Sequence, residues 1–226
     1  MITPRLEMIL RHVKGKTCAD IGTDHAYVPI KLAEAGIKVI ATDIMPGPLK
    51  IAAENVKKQN ADVELRLGGG LSPIKKREVD TVIIAGMGGE MIEKIISEDK
   101  DKAKEVRLIL QPMNRQAELR EYLIKSGFNI LEEDLAKEGF KVYNLIVAEY
   151  SDEKGENFAG YEREIDRHLP KCLYENTYFD ALLEKKKREF TKILEGLKKS
   201  KDANLAEIKK LEELLLEIEK IKEQIK

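Results

Sequence analysis

Short apolar runs rich in β-branched residues alternate with helix-type patterns over residues 1–150, and few folds accept that alternation. The runs are Thr17–Ile21, Val39–Asp43, Val63–Leu67, Val79–Ala85 and Val106–Gln111. Helical patterns stand near residues 26–35, 46–59, 88–97 and 114–126. Strands and helices alternating at this spacing predict an α/β fold, a parallel sheet covered on both faces. Gly36 and Gly127 follow two of the helices where a C-terminal cap belongs. Two last runs, Asn129–Leu135 and Lys141–Tyr150, have no helix between them. The turn Lys137-Glu138-Gly139 predicts that they pair as an antiparallel hairpin. An opening helix is expected too. Thr3 suits its cap, Pro4 suits its first turn, and Leu6, Ile9, Leu10 and Val13 form one apolar stripe.

The texture changes after Tyr150. Residues 151–160 are polar and predict a linker, and from about Tyr178 no strand signal remains. Leu183, Phe190, Ile193 and Leu197 repeat at heptad-like spacing. After a polar break at residues 200–204, Ile208, Leu211, Leu215, Ile218 and Ile225 do the same. Two helices of about 20 residues, each about 30 Å long, should pack as an antiparallel, coiled-coil-like hairpin. The expected division is therefore 1–150 for an α/β domain and 151–226 for a helical domain.

Composition narrows the function classes. The chain has 226 residues, 42% hydrophobic and 36% charged, enough for an ordinary core. No run approaches the roughly 20 apolar residues of a membrane span, and the first residues read as no signal peptide. Cys18 and Cys172 make no C-x-x-C and no metal-type cluster with His12, His25 and His168. Neither a disulfide scaffold nor a zinc module is expected, and a reducing cytoplasm is the default. The net charge is −1, yet residues 185–201 hold eight basic residues against two acids. One basic stripe on a neutral protein can bind nucleic acid locally. A solvated helix face is the other reading of Lys185, Lys186, Lys187 and Arg188.

The chemistry sits in the loops after the strands. Thr17–Ile21 contains Asp20 and runs into Gly22-Thr23-Asp24-His25-Ala26-Tyr27. A glycine after a first strand permits a tight turn and close approach of a ligand. A dinucleotide site wants G-x-G-x-x-G; here the three positions are Gly22, Asp24 and Tyr27. Asp24 would repel a pyrophosphate but suits a ligand carrying an ammonium and a sulfonium, as S-adenosylmethionine does. Asp43 ends the second strand at about the offset from Gly22 where an acid takes ribose hydroxyls. Ile44 and Met45 follow it. The third loop is Gly68-Gly69-Gly70-Leu71, where the adenine of this cofactor usually lies. The fourth strand ends in Ala85-Gly86-Met87-Gly88-Gly89 and the fifth in Gln111-Pro112-Met113-Asn114. All lie at the carboxyl edge of the expected sheet, where doubly wound folds bind ligands.

Each of these residues has a plainer reading beside the functional one. Asp20 either contacts ligand or ties the loop down. His25 either takes part in chemistry or is a hydrogen-bonded structural histidine, and Tyr27 is either a base cradle or packing. Gly86–Gly89 is either a backbone-exposing site or a tight strand–helix turn. Asn114 is either a substrate contact or a helix cap.

The strings Ala19-Asp20-Ile21-Gly22-Thr23-Asp24-His25-Ala26-Tyr27-Val28-Pro29, Ile84-Ala85-Gly86-Met87-Gly88-Gly89 and Leu110-Gln111-Pro112, with the opening Arg5-Leu6, resemble the bacterial tRNA (adenine-22-N1)-methyltransferase family. The resemblance covers nearly the whole chain, including the helical hairpin. One position departs: Gly69 stands where the family usually has aspartate. The resemblance implies a Rossmann-like class I methyltransferase sheet and methyl transfer from S-adenosylmethionine to N1 of an adenine in tRNA. It implies cofactor contacts at Asp20, Gly22, Asp24, Asp43, Ile44, Gly69, Gly70, Gly86 and Met87. Asp24, His25 and Tyr27 are the candidates for catalysis. Arg5, Gly88, Asn114, Lys185, Lys186, Lys187 and Arg188 are those for binding tRNA. No metal is implied, and the expected assembly is a monomer or weak homodimer. Two other readings stand beside this one: the same fold acting on a small molecule or protein, and a non-catalytic binding protein with a degenerate cofactor site.

Overall fold

The computed structural model describes residues 2–152, 159–200 and 204–225. Seven strands form one mixed sheet in the order β3-β2-β1-β4-β5-β7-β6. β1 (Thr17–Ile21) lies inside the sheet, parallel to β2 (Lys38–Asp43) on one side and β4 (Thr81–Met87) on the other. β3 (Val63–Leu67) extends the parallel array beyond β2, and β5 (Arg107–Pro112) beyond β4. β7 (Lys141–Tyr150) then inserts antiparallel between β5 and β6 (Phe128–Glu138). This is the Rossmann-like class I methyltransferase sheet that the sequence leads one to expect.

Helices cover both faces, which is why β1 and β5 are almost wholly buried. On one face α4 (Gly89–Glu98) and α6 (Gln116–Lys125) bring Ile92, Ile96, Leu119 and Leu123 onto Ile84, Leu108 and Leu110. On the other, α1 (Pro4–His12) and α2 (Tyr27–Glu34) bring Met8, Ile9, Val28 and Leu32 onto Val39, Ile83 and Ile109. α3 (Pro46–Gln59) packs Ala52 against Ala26 and Ile30. The short α5 (Lys100–Ala103) has no counterpart among the expected helices.

Three local expectations are corrected. The fourth strand begins at Thr81, not Val79, because Asp80 is occupied in a corner. Its carboxylate accepts the N–H groups of Lys16 (2.7 Å) and Thr17 (3.0 Å) and so fixes the start of β1. β6 runs on through Lys137 and Glu138, and the turn is Gly139-Phe140. Thr3 makes no capping bond with its side chain; the Glu138 carboxylate accepts the Arg5 N–H at 2.8 Å and satisfies the first turn of α1 from the sheet. Burial pushes the Glu138 carboxyl up, and bonds from Thr3 and Arg5 outweigh it, leaving it below the ordinary value.

The chain divides into two compact units, Met1–Asn157 and Phe158–Lys226. The second holds α7 (Glu164–His168), a 3-10 turn at Lys171–Leu173, α8 (Phe179–Lys199) and α9 (Leu205–Gln224). α8 and α9 pack as the expected helical hairpin. Asn204 caps α9, its side-chain oxygen accepting from Ala206 and Glu207. The buried residues of α9 are Leu211, Leu214, Ile218 and Ile221, spaced 3-4-3 as in a heptad seam. Leu214 therefore takes the place expected of Leu215, and Ile193 is exposed. Of the expected linker and break, residues 153–158 and 201–203 lie outside the described residues.

Candidate active site

The loop after β1 is wound tightly against the end of β2. Gly22 has φ +77°, open to glycine, and Asp24 and Ala26 also adopt left-handed backbone, at +51° and +57°. The N–H groups of Gly22 and Thr23 both donate to the Thr42 carbonyl, at 2.8 and 2.9 Å. A Cβ on Gly22 would lie 2.3 Å from Met87 Cε, so the end of β4 closes over this glycine.

Two carboxylates meet beneath the loop. Asp20 and Asp43 are both buried, and no lysine or arginine pairs with either among the described residues. Burial, reinforced by the charge of Asp43, raises the Asp20 pKa to about 6. Asp43 Oδ1 accepts the Met45 N–H at 2.8 Å, and its Oδ2 faces the Asp24 N–H at 3.4 Å. Paired acids without a protein counter-ion suit a cationic, hydroxyl-rich ligand.

Above them, His25 Nδ1 lies 2.8 Å from Asp24 Oδ2. The His25 and Tyr27 rings stack at 5.5 Å with 5° between their planes. The Asn55 amide holds the His25 carbonyl at 3.0 Å. Both side chains of the Asp24–His25 pair reach solvent. Tyr27, Ile44, Met45 and Leu67 are exposed at the same edge. The third loop reaches this rim through Gly69, where a Cβ would lie 3.1 Å from Ile44 Cδ1. Gly70 follows with φ +52°.

The ends of β4 and β5 complete the edge. Gly86 has φ +77°. A Cβ there would lie 3.4 Å from Arg5 Nη1, which donates to Gln111 Oε1 at 3.0 Å. The Arg5 guanidinium lies over the Tyr143 ring, 5.6 Å from its centre. The Asn114 side-chain and main-chain oxygens each accept the Gly89 N–H at 3.2 Å, at the start of α4. Gly88 sits against the Asn114 side chain. Gln111, placed by the sequence at the ligand edge without a role of its own, is fully buried near the end of an otherwise apolar strand.

Lys185, Lys186, Lys187 and Arg188 lie on α8, in the other unit. Three of the four are engaged within the helical unit. Lys186 is only 8% exposed and lies 2.9 Å from Glu189. Lys187 is 2.5 Å from Glu219 on α9, and Lys185, its pKa lowered by burial, is 3.9 Å from Glu189. Arg188 is exposed. No group of three or more His, Cys, Asp or Glu suited to a metal ion occurs among the described residues. No helix there is long and apolar enough to cross a membrane.

Known proteins resemble this chain in sequence and fold. A family model described as "Methyltransferase domain" matches residues 2–146. The tRNA (adenine(22)-N(1))-methyltransferase of Bacillus subtilis is 39% identical over 158 residues, 67% of this chain and 66% of that protein. The chain's matches span about two thirds of the curated relatives' length, 66%, 65% and 64%. The crystal structure of the B. subtilis m1A22 tRNA methyltransferase TrmK is 31% identical, with a TM-score of 0.82 over 100% of this chain and 99% of that one. The structure of M. capricolum TrmK with S-adenosyl-homocysteine is 28% identical, with a TM-score of 0.76 over 100% and 98%.

Proposed function

The chain belongs to the bacterial tRNA (adenine-22-N1)-methyltransferase family, and on that premise we propose that it transfers a methyl group from S-adenosylmethionine to N1 of adenine 22 in tRNA. The observation that carries the proposal is the Asp20–Asp43 pair, two buried acids without a protein cation, under a glycine loop left open at the sheet edge. They fit this cofactor, which carries an ammonium, a sulfonium and two ribose hydroxyls. Asp20, Gly22, Asp24 and Met87 would border its amino-acid end, Asp43 its ribose, and Ile44, Gly69 and Gly70 its adenine; Gly86 lies beside them. Bound there, S-adenosylmethionine supplies an already activated methyl group.

The protein then has to align the target base, exclude water and absorb charge. Adenine N1 gains positive charge on attack, so an adjacent base that accepts an N6 proton stabilises the product. With Nδ1–H donated to Asp24, the Nε2 of His25 is the acceptor. Tyr27, stacked on His25 and half open, gives a flipped adenine an aromatic surface. Arg5, Gly88 and Asn114 face the substrate side. The helical unit adds RNA contacts through Arg188, Lys192 and Lys199, which are exposed. The chain works in the cytoplasm as a monomer or weak homodimer.

The test is mass spectrometry of nucleosides from tRNA incubated with the purified chain and S-adenosylmethionine. The proposal expects 1-methyladenosine at position 22, and its loss when adenine 22 is replaced. No methylated adenosine, with cofactor binding intact, sinks the proposal.

A further inference from the structure

The cofactor-type loops follow β1, β2 and β3, so they occupy one half of the carboxyl edge. The other half, β5-β7-β6, carries the turn Gly139-Phe140. Because β7 runs antiparallel to β5, its first residue Lys141 lies at the same edge as the ends of the parallel strands. The β6–β7 ladder is paired up to Glu138↔Lys141, so this turn is a firm mount.

Phe140 stands on it 88% exposed, the most exposed large apolar side chain among the described residues. Among the described residues its ring belongs to none of the buried apolar clusters. Lys137 and Lys141 flank it, both exposed, and the charge of Lys141 also acts on the Glu138 carboxylate. Glu138, the acid between them, is engaged at the start of α1. Arg5 adds a third cation nearby, over Tyr143, and its charge acts on the same Glu138 carboxylate.

An exposed aromatic among cations in excess over acids, here three to one, is how proteins grip single-stranded nucleic acid, the ring stacking on a base and the cations holding phosphates. A second copy of this chain fits worse, since the same cations would oppose one another across a symmetric contact. We infer that the β6–β7 turn is an RNA-contact site in which Phe140 stacks on an unpaired base of the substrate while Lys137 and Lys141 hold its phosphates. The inference rests on the tRNA reading above and adds a site on the catalytic unit itself.

The chain has no tryptophan, so Phe140→Trp supplies a lone fluorescent reporter. Titration of the full chain with unmodified tRNA transcript should quench its emission. Phe140→Ala should raise the tRNA Kd roughly 5- to 150-fold, the range that stacking of one base commands, while Phe140→Tyr stays close to wild type. Lys137→Gln with Lys141→Gln should flatten the slope of log Kd against log salt by about 1–2. All these variants should bind S-adenosylmethionine as the wild type does. Unquenched emission together with a wild-type Kd for Phe140→Ala overturns the inference. A change in sedimentation instead of tRNA affinity overturns it too, in favour of self-association. A wild type that forms no 1-methyladenosine overturns the reading beneath, a separate result from the titration.

Discussion

Asp24 and Asp43 are linked across two loops: the backbone N–H of Asp24 faces Asp43 Oδ2 at 3.4 Å, while Asp43 Oδ1 holds the N–H of Met45 at 2.8 Å. One carboxylate therefore shapes the loops after β1 and β2 together. Any ligand lying across both depends on it twice, by direct contact and through loop geometry.

Asp43→Ala should accordingly weaken S-adenosylmethionine by about 1–3 kcal/mol, as a charged acceptor is lost. Asp43→Asn keeps a hydrogen-bond acceptor for Met45 and should lose less. Isothermal calorimetry measures both; equal, undiminished affinities in the two variants would remove Asp43 from the site.

Asp20 makes stability depend on pH in an unusual sense. Its folded pKa of about 6 lies above the ordinary 3.8, because burial disfavours the charged form. The cost of ionising it is absent below pH 3.8, grows as pH rises toward 6 and is complete above that. It amounts to the order of 3 kcal/mol. Glu78 and Glu132, held down to about 2 chiefly by bonds from Arg66 and Lys14, act oppositely and only below about pH 4.5. Between pH 4.5 and 6, then, wild-type stability should fall relative to that of Asp20→Asn as pH rises, and the variant should have the higher Tm at pH 7.5. Thermal melts across that window decide it. A parallel curve for the variant rejects the assignment.

The sheet was legible because its apolar runs carry the strand period themselves: Thr17–Ile21, Val63–Leu67 and Lys141–Tyr150 form strands with the same limits. What escaped were features made by distant residues. Nothing near Thr3 announces that Glu138, far along the chain, serves the start of α1. Leu214 and Leu215 are adjacent leucines, and only packing against α8 decides which is buried. Lys186 looks like part of a solvated run until the seam and Glu189 enclose it. In the site, Asp20, Asp24 and Asp43 were visible as acids at strand ends. The Arg5–Gln111 bond was not, since it joins α1 to β5.

His25 and Asp24 reach solvent at the ligand edge, so their replacement should touch rate before stability. His25→Ala is expected to leave Tm unchanged and lower single-turnover methylation by roughly 10²–10⁴, the usual contribution of a positioned base. Asp24→Asn should lower it too, because His25 loses the partner that sets its tautomer. Normal single-turnover rates in both variants would leave alignment as the sole catalytic device.

Gly89 offers a purely steric test of the β4–β5 end. A Cβ there would lie 2.7 Å from the Arg115 carbonyl oxygen and 2.9 Å from that of Asn114. Both are backbone atoms that cannot swing aside. Gly89→Ala should separate the two loops and break the bonds from its N–H to Asn114. A loss of about 1–3 kcal/mol is expected, the usual cost of overpacking. Denaturant titration reports it; an unchanged midpoint would mean that the loops move apart freely.

On α8 the basic residues split into two groups, and the split predicts different failures. Lys187 and Lys198 are bound to Glu219 and Glu212 of α9, Lys222 of α9 to Glu184, and Lys186 is buried. These hold the hairpin together. Arg188, Lys192 and Lys199 are exposed and carry no ion pair among the described residues. Exposed pairs contribute little, about 0–1 kcal/mol each, so Lys187→Gln should lower Tm slightly and leave tRNA affinity near wild type. Lys186→Gln should cost more, since Lys186 is buried and its pair with Glu189 is lost, leaving Glu189 only the more distant Lys185. Arg188→Gln with Lys192→Gln and Lys199→Gln should do the reverse, raising the tRNA KM and flattening its salt dependence while Tm holds. Filter binding across a salt series, beside thermal melts, separates the groups. If the triple replacement binds tRNA like the wild type at every salt concentration, α8 is only a solvated face, and the RNA grip belongs to the catalytic unit alone.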